Sequence, residues 1–579
     1  MKTQAFLTLI FLSGICFGGL GSNTLALKKK LQSDGAKQLC TSSSRGEDVT
    51  DAQAAFGLFY LDWENQTANS RLKKAIEETG GNLRQIPLWL RMYCLFTNPN
   101  DLSSSKLDAG ARDMLTDIFA RYVEDNNKPD ITTQAHRIDD FCRISNVYLA
   151  LQILKNSGLS LPQLPADTIK TDLARLNEFL PEYCRARVAG GLWPAVSSDA
   201  KGADLLCCLV NLYDFAQDEP LKKRVSMLLD IIWADWAQDQ MNLVRGGARM
   251  DTLMPPSSND MIKFCAVPFL SPDMNWTDGR KYTIPDHNCI YIMATTSWRM
   301  PDVVMDMILD AGGRGDFEYQ SQLPAAAELT VSGLFKRYSY CTNEYVLGGL
   351  FIDPAAAQTG LPDALNMVQG LTFADGAYAS VSCEGGIVQA IGDKNILIFQ
   401  HPQKTPDEPS SKISVSEGVK SLMTERGGWL VFRQSSTWAA IKGLSIRRPG
   451  AGCGYEWVSD IQFTLKEPSS PLVVITGSAR TYKNIDAFVT YITEHDWRIK
   501  DAVLTYNYTN DEGKPDSFTM YLDGSAKPLA GAKPLNFSDL MLYESPFMKS
   551  VKGSGVIMLK KDNRKLMYHT DRDEIVDSK

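Results

Sequence analysis

Hydrophobic positions along the chain follow two different periods. From Thr50 they recur three or four residues apart, as in Ala54, Ala55, Leu58, Phe59 and Leu61, then Ile86, Trp89, Leu90 and Tyr93. That spacing predicts amphipathic helices, each burying one stripe. Asn98-Pro99-Asn100 interrupts the run, and Leu107, Met114, Leu115, Ile118 and Tyr122 resume it. Further helices are predicted over 133–155, 167–183, 203–217 and 221–240, with a pair over 287–298 and 302–311. Proline and glycine at Pro129, Gly158, Pro162, Pro165, Gly190 and Gly191 separate them. No fixed repeat period runs through these helices, which counts against a solenoid. The pattern predicts helical hairpins arranged around a ring, an (α/α) toroid.

Beyond Leu329 the period falls to two. Strands are predicted at 345–352, 377–382, 386–391, 395–399, 429–433, 437–442, 455–464, 472–476, 503–507 and 517–522. Turn signals such as Gly392-Asp393, Gly427-Gly428 and Pro449-Gly450 divide many of them. Closely spaced strands with such turns predict an antiparallel β-sandwich. The expected organisation is therefore a signal segment over 1–26, a polar segment over 27–49, an α/α-toroid domain over 50–328 and an antiparallel β-sandwich domain over 329–579. A chain of 579 residues is too long for one core, in keeping with a multidomain α-then-β build.

Three features change the picture. Lys2, the apolar run Phe6–Ile15 and Thr24-Leu25-Ala26 match the three parts of a secretory signal, so an extracytoplasmic protein, periplasmic or secreted, is expected. No later stretch has the apolar length of a transmembrane helix. The net charge of −8 and pI near 5.4 argue against a nucleic-acid partner. Outside the signal segment, eleven cysteines lack CxxC or paired Cys/His spacing, so no metal site is expected. A structural calcium ion is compatible with a β-domain, but no ligand loop of the usual form is present. No cofactor is indicated, and oligomeric state is not written in the sequence.

The stretch Arg337–Gly349, RYSYCTNEYVLGG, lies where the helical half gives way to strands. Its tyrosines Tyr338, Tyr340 and Tyr345 suit a ligand cleft, or equally a first strand with inward-facing aromatics. The helix-poor segment 242–286 opens on Arg245-Gly-Gly-Ala-Arg249 and closes on Asp286-His287-Asn288. It is expected to face substrate, with a packed Ω-loop as the alternative. Glycines let backbone approach a ligand, and Arg245 and Arg249 suit a carboxylate or sulfate; surface ion pairs are the other reading. His287 and Asn288 suit proton transfer and oxyanion stabilisation, unless Asp286 merely caps the next helix. His136 and Arg137, beside Asp139 and Asp140, form a second polar cluster that either titrates or caps a helix. Trp193 follows Gly190-Gly191-Leu192 and is either a sugar platform or core. Glu456, Asp62 with Glu64, and Asp235 with Asp239 are candidates for a glycosidase carboxylate pair.

The signal segment, the helical half, Arg245–Arg249 with His287, RYSYCTNEYVLGG and Gly427–Lys442 together resemble secreted polysaccharide-processing proteins of the heparinase II/III-like and alginate-lyase-like families. That resemblance implies a toroid followed by a sandwich, and cleavage of an acidic (uronate) polysaccharide by β-elimination. It would assign His287, Asn288, Tyr340 and Tyr345 to the chemistry. Arg245, Arg249, Trp193, His136, Arg137 and Tyr338 would then hold substrate. A glycoside hydrolase and a non-catalytic glycan-binding protein are the alternatives.

Overall fold

The computed structural model describes residues 33–44 in part, 49–79, 82–128, 132, 137–157, 164–250, 252, 261–270, 288–310, 312–323, 335–353, 367–383, 389–400, 411–420, 422–443, 446–447, 461–465, 471–510, 513–537 and 541–578. They make a helical N-terminal part followed by an antiparallel, sheet-rich C-terminal part. Chain contacts divide it into two compact units, one of residues 1–118 and 264–299, the other of residues 119–263 and 300–579. The helices of the expected toroid are shared between these units. The change from helix to strand near residue 328 is thus not where the contacts divide.

In the first unit, Thr50 starts helix Asp51–Leu61 with a reciprocal cap, its side chain and that of Gln53 each taking the other's backbone N–H. The helix ends at Asp62, whose left-handed backbone (φ 59°) frees the chain to enter helix Asn65–Thr79. Helix Ile86–Phe96 carries Arg91, fully buried, whose Nε donates to Thr295 Oγ1 at 2.7 Å. Ser43 and Tyr291 share a 2.5 Å hydrogen bond beside Phe56.

The second unit is layered. Helices Ile138–Ser157, Ala166–Gly190, Asp199–Phe215 and Glu219–Asp239 pack on one another. Asp218 caps the last of these, accepting from the Leu221 N–H at 2.7 Å. At its other end Arg314 donates to the carbonyls of Ala237, Gln238 and Gln240 at 2.5, 3.0 and 2.9 Å. A guanidinium there satisfies orphan carbonyls and meets the negative end of the helix dipole. Helix Asp302–Leu309 packs on the same helix.

Among the described residues the larger sheet has fourteen strands. Its centre is the antiparallel run Phe317–Leu323, Phe335–Cys341, Tyr345–Ile352, Met367–Phe373 and Tyr378–Cys383. The C-terminal meander from Met541 to Ser578 extends it on one side, and the short strand Arg249–Met250 pairs with Met367–Phe373. RYSYCTNEYVLGG is thus a hairpin at the middle of this sheet. A six-stranded sheet, with Ile396–Gln400 and Pro471–Ser478 near its centre, covers one face. Leu397, Phe399, Leu430, Phe432, Ile441 and Val474 point into the core shared with the larger sheet. Their neighbours Ile396, Ile398, Val431, Ala440 and Ile475 point the other way, into a second core with helix Ile485–Thr493 and a five-stranded sheet beginning at Asp496. Burial on both faces explains why these strands are apolar nearly throughout. The sheet-rich part thus stacks two antiparallel sheets and adds a further layer outside them.

Candidate functional site

The Arg245–Arg249 loop and the RYSYCTNEYVLGG hairpin meet, and the reason is backbone packing. A Cβ on Gly348 would stand 2.4 Å from the Gly247 Cα, and one on Gly246 2.6 Å from the Val346 Cβ. Gly247 itself has φ 71°. The paired glycines of the two motifs let one backbone cross directly over the other.

Beneath this crossing lies a buried ion network. Arg245 Nη2 stands 2.6 Å from Asp235 Oδ2, and its Nε stands 3.2 Å from Asp239 Oδ1. Arg337 Nη2 also donates to Asp235, and Tyr319 donates its hydroxyl to Asp235 Oδ1 at 2.5 Å. All five groups are at most 3 % exposed or nearly so buried. Burial pushes the Asp235 carboxyl upward, but Arg337 and Arg245 outweigh it and hold the group below its ordinary range. Asp239 goes the other way, because burial exceeds what the arginines return. Arg249 donates to the Arg245 carbonyl and is buried too. The expected task of Arg245 and Arg249, gripping an anion from solvent, does not fit guanidiniums enclosed in this way. Arg245 is committed to Asp235 and Asp239. Those two aspartates are equally unsuited to a glycosidase pair.

Trp193 is likewise interior, at 1 % exposure. Its Nε1 donates to the Tyr183 hydroxyl at 3.1 Å, and Arg187 lies 4.8 Å from its ring centre. It is core, not a platform. Arg137 is exposed, its guanidinium 3.7 Å from Asp139 and its backbone N–H donating to Asp140 Oδ2 at 3.1 Å, as a helix start requires. Asn288 lies in the first unit and donates to Gln85 Oε1. His136 and His287 lie outside the described residues. Tyr345 is buried, with the half-buried Tyr340 ring 6.2 Å from it. Tyr338 opens on a cavity.

That cavity, about 340 Å³ in volume, lies between the larger sheet and the five-stranded sheet of the second unit. Glu318, Lys336 and Tyr338 enter it from the larger sheet, and Asp393 from the turn after strand Gln389–Asp393. Tyr508, Asp516 and Phe518 face them from the five-stranded sheet, and Phe537 closes one side. Strand alternation sets Glu318 and Gln320 on the face opposite Tyr319, so one strand serves both cavity and ion network.

Glu318 and Asp393 hydrogen-bond to each other. Burial raises the Asp393 carboxyl first, the Glu318 charge raises it further, and Lys394 opposes both, leaving it at about 6. Two carboxylates in one half-buried site repel, so Asp393 keeps its proton to a higher pH than a free aspartate does. Tyr338 donates to Glu318 Oε1 at 2.7 Å and accepts the Lys394 N–H at 2.5 Å. Burial, then Glu318, pushes the phenol well above its usual range, so it stays protonated. The cavity therefore offers a shared proton, an ammonium at Lys336 and apolar ring faces. Among the described residues, no group of three or more His, Cys, Asp or Glu side chains is placed to hold a metal ion, and no helix is long and apolar enough to cross a membrane.

Glu318 and Asp393 are the residues sequence reasoning missed. Asp393 was visible only as half of a turn signal. Glu318 sits in Phe317-Glu318-Tyr319-Gln320, whose apolar–polar alternation is a strand signal lying before the expected boundary.

No family model matches the chain, and no curated protein matches it. Among solved structures it is similar to the crystal structure of heparinase III, at 10 % sequence identity and a TM-score of 0.29, over 82 % of this chain and 84 % of that one. A likeness at this level transfers no residue roles.

Proposed function

We propose that the protein is a carbohydrate-active enzyme, acting outside the cytoplasm as a lyase on an acidic polysaccharide. The observation that supports this most is the proton-sharing Asp393–Glu318 pair in a cavity walled by aromatic rings. Rings such as Tyr508 and Phe518 suit the apolar faces of a sugar, and the polar groups between them suit its hydroxyls. β-Elimination requires a base for the proton beside the uronate carboxylate and an acid for the leaving oxygen. A pair holding one proton supplies both, one carboxylate receiving while the other gives. Lys336 meets the uronate carboxylate.

Hydrolysis is the second reading, and Asp516 as a third carboxylate in the cavity favours it. The Asp393–Glu318 pair does not, because its members touch. Hydrolytic pairs stand about 5–5.5 Å apart in retaining enzymes and further in inverting ones.

The test is incubation with a panel of uronate polysaccharides, following ultraviolet absorbance from new unsaturated ends. Absorbance should rise, and Asp393→Asn and Glu318→Gln should each slow it by about 10²-fold or more. Full rates in both variants would remove the pair from the chemistry. Reducing ends without absorbance would move the reaction to hydrolysis.

A further inference from the structure

We propose that Tyr338 is a positioning residue for the proton-sharing pair: one phenol, donating to Glu318 and accepting from the Lys394 backbone, fixes the strand that carries one carboxylate and the turn that carries the other. This deepens the reading above and rests on it for the pair's catalytic use. The geometry itself does not depend on that use.

Three observations carry it. The two hydrogen bonds, 2.7 Å to Glu318 Oε1 and 2.5 Å from the Lys394 N–H, converge on a single oxygen. The ring has little freedom, since it stacks on Phe351 with centres 5.2 Å apart and planes at 17°. Its cross-strand partner is Gly349, so no side chain stands directly opposite. Finally, Lys394 has a left-handed backbone (φ 47°), unusual for a residue with a side chain, in the tight turn joining Asp393 to strand Ile396–Gln400. The bond from its N–H to Tyr338 holds that turn against the cavity.

The phenol also biases the proton. A donor on Glu318 favours its charged form, so losing it lets Glu318 compete for the shared proton, and Asp393 should ionise at lower pH. The charged groups acting on Asp393 are Glu318 from the adjoining sheet, Lys394 on its own turn and Asp516 from the five-stranded sheet. Lys336 shares the cavity. None of these is altered by Tyr338→Phe.

The experiment is a carboxyl titration of the full-length protein labelled with ¹³C at the aspartate side chains, the Asp393 signal being assigned from Asp393→Asn. Tyr338→Phe should lower the Asp393 midpoint, by at most about one pH unit, the size expected for one hydrogen bond to a charged group. Difluorotyrosine at position 338 keeps the ring and is a stronger donor, so it should raise the midpoint. It also covers the case in which the phenylalanine variant does not fold. Opposite shifts support the assignment. Unchanged midpoints, or shifts of the same sign, overturn it. If no glycan is turned over by the parent protein, the lyase reading fails while this titration still decides the role of Tyr338.

Discussion

Removing Arg337 tests the account of the buried network directly. In Arg337→Met the chain keeps a side chain of similar length but loses the cation that serves both aspartates. Arg337 is 1 % exposed, donates through Nη2 to Asp235 and places Nε 3.8 Å from Asp239. What remains is Arg245 between two buried carboxylates, with Arg249 acting on Asp239 as well. Asp235 would retain Arg245 at 2.6 Å and the Tyr319 hydroxyl. Asp239 would retain the Arg245 Nε at 3.2 Å and the charge of Arg249, and neither of its oxygens has a well-formed hydrogen bond even now. Leaving a buried charge without its partner costs about 3–5 kcal/mol.

The pH dependence sharpens the test. Asp239 is already raised by burial, and losing Arg337 raises it further. A carboxyl whose pKa is higher folded than unfolded binds more protons in the folded state. Stability is then greatest below the unfolded value, about 3.9, and falls as pH rises toward the folded value. The variant should therefore lie closest to the parent near pH 4 and furthest from it near pH 7. Urea unfolding followed by tryptophan fluorescence at both pH values measures this. A loss under about 1 kcal/mol at pH 7, or one independent of pH, would refute the description of these groups as a mutually neutralising pair of ion pairs.

Other outcomes follow from single sites. Asp393→Asn should abolish activity yet raise stability at neutral pH, because Asp393, at about 6, costs stability as pH rises through that value; paired activity and urea measurements check both signs. Gly348→Ala puts a Cβ 2.4 Å from the Gly247 Cα, backbone against backbone, and should cost about 2–3 kcal/mol in the same unfolding assay. His495 is buried against the Tyr506 hydroxyl at 2.6 Å, and burial lowers it to about 4. Its folded pKa lies below the unfolded value of about 6.5, so it contributes stability above pH 6.5 that is lost as pH falls toward 4. His495→Gln should flatten that part of a thermal melting series.

Local periodicity carried much of the fold. The helices beginning at Asp51, Ile86, Ala166 and Glu219, and strands such as Tyr345–Ile352 and Trp429–Gln434, lie where the spacing of apolar residues predicts them. What escaped is informative. Helix Asn65–Thr79 is mostly polar, with Ala68, Leu72 and Ile76 its narrow buried stripe, so its signal was thin. Helix Met261–Leu270 contains Pro268 and lies inside a segment otherwise rich in breakers. The C-terminal meander from Met541 to Ser578 is short-stranded, and its last strand is exposed throughout. Weak burial leaves weak periodicity.

The glycine-flanked arginines that the sequence singles out pack inward rather than toward a ligand, for a physical reason. Arginine beside glycine looks the same in sequence whether the close approach is to a ligand or to the protein's own backbone. Arg245-Gly-Gly-Ala-Arg249 makes the second kind of approach, over Gly348. The distinction depends on Asp235 and Asp239, which lie on a different element and reveal their partners only once helix and sheet are packed. The Asp393–Glu318 pair is the converse case. Each residue alone is an ordinary polar position, one on a strand and one at a turn, separated by 75 residues of chain. Only the packing of the sheets half-buries both in one cavity, and there the Glu318 charge and burial together raise Asp393. Tyr338 connects the two levels. It belongs to the motif that the sequence singled out, and its hydroxyl is where that motif reaches the cavity.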